Sequence, residues 1–290
     1  MKQNKPIGHL LKDYGFIFSK AKGQNFLADN NIPEKIVRKS EIDNTCGVLE
    51  IGPGIGALTA ELCKKAARVT AVELDKRLIP ILSETLAEYK NVEVVEGDIL
   101  KIDIKNLCEE KMPGTRLCVC ANLPYNITTP AITALFDAGV FESLTVMVQR
   151  EVARRICAKP GTADYGAFTV YANYHANCEI LFDVPPQCFI PRPKVFSSVV
   201  RLKVKSEKML EGDLEQMFFR VARAAFSQRR KTLVNALHSA FLPKLGKDEV
   251  AGVITESGLD ILTRGEVLNI EDFINVSGLL KKRIDEKAKL

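Results

Sequence analysis

The sequence predicts an α/β fold, a mostly parallel central sheet with helices on both faces, joined to a small all-helical C-terminal domain. Three observations predict it. Short apolar runs alternate with stretches of helical spacing from Gly47 to Val148, a glycine-rich turn joins the first run to the first helix, and strand-like runs cease after Ser206. With 290 residues, 46% of them apolar, the chain can bury one large core and a second, smaller unit. The predicted domains are residues 1–205 and 206–290.

The elements follow in order. Gly47–Ile51 reads as a buried strand, and Ala57, Leu58, Leu62 and Cys63 after it recur at helical spacing. The pattern repeats with a strand at Val69–Glu73, a helix at Lys76–Tyr89, a strand at Val92–Val95 and an apolar strand at Leu117–Ala121. A helix at Pro130–Ala138 and a strand at Leu144–Val148 continue it. Beyond Gln149 the texture changes: Ala167–Ala172, Glu179–Val184 and Val195–Val204 are rich in strand formers, and Pro185, Pro186, Pro191 and Pro193 mark a rigid loop. From Met209 onward Leu214, Met217, Phe218, Val221 and Ala225, then Val250, Val253 and Ile254, keep helical spacing.

Charge and cysteine usage narrow the setting. Lys and Arg outnumber Asp and Glu by 41 to 36. The excess is concentrated: Met1–Lys22 holds five lysines and one acid, and Arg220–Lys231 holds five cations and no acid. Such runs suit a polyanion or a solvated face. No stretch approaches the roughly twenty apolar residues of a membrane span, and residues 1–30 show no export segment, so a cytoplasmic protein is expected. Cys118 and Cys120 alternate with Leu117 and Val119 and read as reduced packing residues, while His9, His175 and His238 show no metal-ligand spacing. No metal is expected.

The candidate site lies where the strands end. Gly52-Pro53-Gly54-Ile55-Gly56 follows the first strand and opens a helix, allowing a tight turn and close backbone approach to a ligand. Glu73 ends the second strand about twenty residues on, where a carboxylate can accept from a ribose diol. Asp98, beyond the third strand, suits either an adenine amine or a helix N-cap. These features fit a dinucleotide and S-adenosylmethionine equally. Asn122-Leu123-Pro124-Tyr125 closes the next strand and offers an amide, two backbone carbonyls and an aromatic face, a set that suits a planar base carrying an amine.

Together these segments resemble class I methyltransferases, with their Rossmann-like fold, that modify exocyclic amines. Gly23-Gln24-Asn25-Phe26-Leu27, Phe189-Ile190-Pro191-Arg192-Pro193-Lys194-Val195 and Ala225-Phe226-Ser227-Gln228-Arg229-Arg230-Lys231-Thr232-Leu233 narrow the resemblance to the ribosomal RNA adenine dimethyltransferases. It covers about Gln24 to Ala236 and is strongest toward the bacterial branch that dimethylates two adjacent adenosines near the 3′ end of small-subunit (16S) rRNA. The resemblance implies that S-adenosyl-L-methionine meets Gln24, Asn25, Leu27, Gly52, Gly54, Glu73, Asp98 and Asn122. It further implies that Asn122 and the carbonyl of Leu123 or Pro124 hold the target amine, that Tyr125 and Phe189 stack on the base, and that Arg220, Arg223, Arg229, Arg230 and Lys231 contact RNA phosphates. The expected partner is 16S rRNA in an immature small subunit, and the expected state is a monomer. A dinucleotide oxidoreductase leaves the Asn-Leu-Pro-Tyr turn and the basic helix unexplained. The branch that dimethylates 23S rRNA and confers antibiotic resistance differs at Leu123 and Arg229–Lys231, and a non-catalytic RNA-binding assembly factor would not need the cofactor positions.

Overall fold

The computed structural model describes residues 14–16, 25–228 and 230–289. Gln24, Arg229 and His9, singled out above, lie outside them. The chain divides into two compact units, Met1–Ala153 with Glu179–Val204, and Arg154–Cys178 with Lys205–Leu290. Residues 154–178, which precede the predicted boundary after residue 205, group with the helical unit.

The first unit is built on seven strands. They are β2 (Cys46–Ile51), β3 (Arg68–Glu73), β4 (Val92–Glu96), β5 (Arg116–Asn122), β6 (Ser143–Gln149), β7 (Ala176–Val184) and β9 (Ser197–Val204). Their spatial order is β4-β3-β2-β5-β6-β9-β7. Pairings from β4 through to β6 are parallel, and β9 runs antiparallel to β6. All six residues of β2 are buried, which is why this strand reads as a nearly unbroken apolar run. Chain order turns outward in opposite directions from β2 and β5, so the crevice at their carboxyl ends is the topological switch point. The parallel sheet agrees with the sequence reading.

Connecting helices are α2 (Ala57–Cys63), α3 (Ile79–Thr85), α4 (Ile104–Lys111) and α5 (Thr128–Ala138), with α1 (Asn31–Lys39) preceding β2. Leu58 and Leu62 from α2 pack with Ile36 and Val37 from α1 against Val48, Val69 and Cys118 of the sheet. Cys118 and Cys120 are buried free thiols, and burial pushes both above the ordinary cysteine range, consistent with reduced packing residues. A separate two-stranded ribbon pairs β1 (Phe26–Leu27) antiparallel with β8 (Phe189–Ile190). This pairing joins residues more than 160 positions apart, and no local pattern announces it.

The second unit is helical. Ala167–Ala172, which sequence composition assigns to a strand, lies in helix α7 (Ala167–His175), following α6 (Arg150–Ile156). Val170 and Tyr174, four apart, enter one apolar core, so packing on a single helical face overrides the β propensity of Phe168, Thr169 and Tyr171. Helices α8 (Gly212–Ser227), α9 (Leu233–Phe241), α10 (Lys247–Glu256) and α11 (Ile270–Lys287) complete the unit. Phe218 and Val221, Leu237 and Phe241, Val253 and Ile254, and Phe273 and Val276 fill its centre.

Gly265 shows how tightly that centre is packed. A Cβ there would stand 2.7 Å from the Ala225 Cβ and 3.0 Å from the Ala225 carbonyl oxygen, and backbone cannot retreat cheaply. Gly265→Ala should therefore destabilise the helical unit by about 1–3 kcal/mol, read as a lower urea midpoint; an unchanged midpoint would show that the contact relaxes freely.

Candidate active site

One cavity lies at the switch point, and Asn25, Leu27, Gly52, Gly54, Glu73, Asp98 and the whole Asn122-Leu123-Pro124-Tyr125 turn line it. The sequence-derived residues thus converge from five separated segments. Phe189 does not join them. It is 2% exposed and packs in the core with Leu27 and Cys188, because its pairing in the β1–β8 ribbon turns it inward.

The glycine loop depends on backbone geometry that side chains resist. Gly54 has φ +62°, and a Cβ there would stand 2.8 Å from the Phe26 ring, so this position supplies both a left-handed turn and room for the N-terminal segment. The Gly54 N–H donates to Glu73 Oε2 at 3.2 Å and the Asp75 N–H to Oε1 at 2.8 Å. Two backbone donors thus orient the carboxylate at the cavity wall. Asp98 performs the local task as well as lining the cavity: its Oδ1 accepts from the Leu100 N–H at 3.1 Å, and Lys101 Nζ lies 3.8 Å from Oδ2.

The Asn122 amide is oriented by a partner that can only accept. Its Nδ2 donates to the Asn25 carbonyl at 3.1 Å, which commits the amino half of the amide to the N-terminal segment and leaves Oδ1 as the acceptor half. Next along, the Leu123 N–H donates to the Met147 carbonyl at 3.1 Å. The Pro124 carbonyl accepts from the Ile127 N–H at 3.1 Å and the Thr128 hydroxyl at 3.3 Å, so it is taken up in starting α5. Tyr125 is held by its hydroxyl, 2.6 Å from the Ser197 Oγ, and burial pushes the phenol above its ordinary range, keeping it protonated at neutral pH.

Sequence reasoning passed over two residues here. Ser197 lies 72 positions from Tyr125, and nothing local connects them. Glu50 did carry a signal, a lone acid within an apolar strand. It is 1% exposed, lines the cavity, and its Oε2 has no hydrogen-bond partner among the described residues. Burial pushes its carboxyl up to about 8. The nearby Thr59 hydroxyl opposes that rise without completing a hydrogen bond to Oε2, and Glu73 reinforces it. Among the described residues no cluster of His, Cys, Asp or Glu is gathered that could hold a metal ion.

In the second unit, Arg220 and Arg223 fall on α8 as their spacing predicts, and Arg223, Arg230 and Lys231 are exposed. Arg220 is committed locally: its guanidinium donates to the Ala240 carbonyl at 2.8 Å and lies 4.3 Å over the Phe241 ring.

The reversed strand β9, inserted between β6 and the edge strand β7, departs from the all-parallel order of dinucleotide-binding sheets. The cavity lining offers glycine backbone, a buried carboxylate held by two backbone N–H groups, and the acceptor-bearing Asn122–Tyr125 turn. Fold and site define a class I methyltransferase using S-adenosylmethionine. Comparison with known proteins narrows the class. The family described as "Ribosomal RNA adenine dimethylase" matches residues 15–282. A protein of Lachnoclostridium phytofermentans named "Ribosomal RNA small subunit methyltransferase A" is 46% identical over 97% of this chain and 96% of its own length, and one of Listeria monocytogenes with the same name is 45% identical over 96% of each. Among solved structures, a dimethyladenosine transferase from Plasmodium falciparum aligns with TM-score 0.75 at 26% identity, over 89% of this chain and 98% of that one. The 23S rRNA methyltransferase ErmE aligns at 0.68 and 28%, over 89% and 100%. The chain belongs to the ribosomal RNA adenine dimethylase family, and it is an S-adenosylmethionine-dependent rRNA adenine dimethyltransferase.

Glu50 provides a test by pH. The unfolded side chain ionises near 4.5, whereas the buried one keeps its proton to about 8. Between those values the native state holds a proton that the unfolded state has released, so stability falls as pH rises, by up to about 1.4 kcal/mol per pH unit. Glu50→Gln should flatten urea-unfolding stability across that window relative to the parent. Parallel profiles would mean that another group carries the slope.

Proposed function

We propose that the chain dimethylates N6 of two adjacent adenosines near the 3′ end of 16S rRNA, in an immature small ribosomal subunit. The observation that carries this reading is the Asn122 amide, oriented by the Asn25 carbonyl so that an acceptor is left for a substrate amine at the cavity wall. The choice of small-subunit RNA rests on the name borne by relatives that match almost end to end.

S-adenosylmethionine supplies a methyl group that is already electrophilic. The protein's work is positioning. Asn25, Leu27, Gly52, Gly54, Glu73, Asp98 and Asn122 bind or border the cofactor, with Glu73 on its ribose and Asp98 on its adenine amine. The amine of the target adenine donates to Asn122 Oδ1 and to the Leu123 carbonyl, which accepts from no other group among the described residues. The Pro124 carbonyl is already occupied by α5, so Leu123 is the better of the two acceptors. Two acceptors on two N–H groups favour a tetrahedral nitrogen and stabilise the positive charge that develops on it, and one amine proton then passes to solvent. Tyr125, fixed through Ser197, stacks on the base, offsetting the loss of its stacking in RNA.

Donor count then orders the two transfers. Adenine offers two N–H groups, the monomethyl product one and the dimethyl product none, so the base is held less firmly after each transfer and is released when both anchors are gone. Arg223, Arg230 and Lys231 provide phosphate contacts, while Arg220 supports the end of α9.

Asn122→Ala should lower turnover about 10²- to 10³-fold and leave cofactor affinity within a few-fold. Single-turnover methylation at the parent rate would remove the amide from the chemistry. The function itself is tested by mapping methyl groups on rRNA from cells with and without the gene for this chain. Two adjacent small-subunit adenosines that lose their methyl groups only in its absence support the reading, and an unchanged map overturns it.

A further inference from the structure

The proline loop between β8 and β9 is apolar and exposed where a soluble protein would ordinarily be polar. Ile190, Val195 and Phe196 are 37%, 45% and 39% exposed within seven residues. Arg192 and Lys194 between them are also exposed, with no ion-pair partner among the described residues, and no acid occurs from Val184 to Ser206. Scattered apolar side chains are common on surfaces, but a short patch interleaved with unneutralised cations matches the surface of a polyanion whose bases have flat apolar faces.

Phe196 is braced for such a role. The Arg150 guanidinium lies 4.5 Å over its ring centroid, and the Arg150 N–H donates to the Phe196 carbonyl at 2.9 Å. Arg150 lies 4.0 Å from the Asp183 carboxylate, a group that already accepts from the Ser198 hydroxyl at 2.6 Å. Ring and guanidinium therefore form a flat cationic step, a surface on which unpaired bases stack. Its place is set by the next residue: Ser197 is fully buried and bonded to Tyr125, a wall of the cavity. Consecutive Cα atoms are about 3.8 Å apart, so the step begins one residue from the group that holds the ring assigned to the target base.

We propose that Phe196, braced by Arg150 and flanked by Arg192 and Lys194, is a second stacking platform, which takes the unpaired base adjoining the target adenine in the RNA strand. The proposal rests on the adenine-methylating reading of the cavity and extends it to the neighbouring nucleotide. It also gives adjacent target adenosines a physical setting, one base in the cavity while its neighbour is held on the step.

The test compares Phe196→Tyr, Phe196→Leu and Phe196→Ala in the full chain, with small ribosomal subunits lacking the modification as substrate. A platform needs an aromatic face. Phe196→Leu and Phe196→Ala should raise KM for the subunit about tenfold, with kcat at saturating subunit and the cofactor Kd near parent values, and Phe196→Tyr should restore KM. An unchanged KM in Phe196→Ala overturns the platform, and so does a Leu variant equal to the Tyr variant, since apolar packing alone would then suffice. A loss confined to kcat or to cofactor affinity overturns it too. If the parent chain methylates no adenine in these particles, the underlying reading fails first and the platform with it.

Discussion

A backbone carbonyl accepts hydrogen bonds and never donates one, and at Asn25 that asymmetry organises the candidate site. Because the carbonyl faces the Asn122 side chain at 3.1 Å, the amide presents its amino half to the N-terminal segment, and its oxygen is the acceptor half. The reverse orientation would set two acceptors against each other. A residue near the start of the chain thus decides the chemistry offered by one nearly a hundred positions later. The same N-terminal segment brings Phe26 against Gly54, where any side chain beyond hydrogen would collide with it. Loop, strand end and N-terminal segment are one interlocked wall.

Much of that wall was legible in the chain because the features involved are local. Strand β2 announces itself by its apolar run, and the glycines after it announce a turn. Glu73, Asp98 and Asn122 stand where strands end, and the switch-point rule places strand ends around a ligand. What stayed hidden was non-local. Tyr125 is visible as an aromatic ring, but its anchor Ser197 belongs to a strand that reaches it only through the antiparallel pairing of β9 with β6. Phe189 is expected from the sequence to stack on the target base, yet its two-residue strand pairs with Phe26–Leu27 and takes the ring into the core.

The helical unit carries a different lesson. Ala167–Ala172 contains aromatic and β-branched residues that favour strands in isolation, and it is a helix because Val170 and Tyr174 meet the same core one turn apart. Basic residues also divide by surroundings. Arg220 and Arg223 look equivalent three positions apart and both are exposed, but the Arg220 guanidinium is engaged by a helix-end carbonyl and an aromatic ring. Charge counts cannot separate a brace from a contact, whereas hydrogen-bond partners can.

The two-stranded ribbon has a temporal meaning as well. Residues 25–27 help line the cavity, yet their pairing partners, Phe189 and Ile190, are synthesised more than 160 residues later. A ribosome making this chain can release strands β2 to β6 and the glycine loop before the segment that secures Asn25 exists. Closing so long a loop is paid in chain entropy and comes late in folding. The N-terminal wall of the cavity is therefore secured only once the distant ribbon forms, and a nascent chain stopped short of Phe189 carries the glycine loop and the strand ends without that clasp.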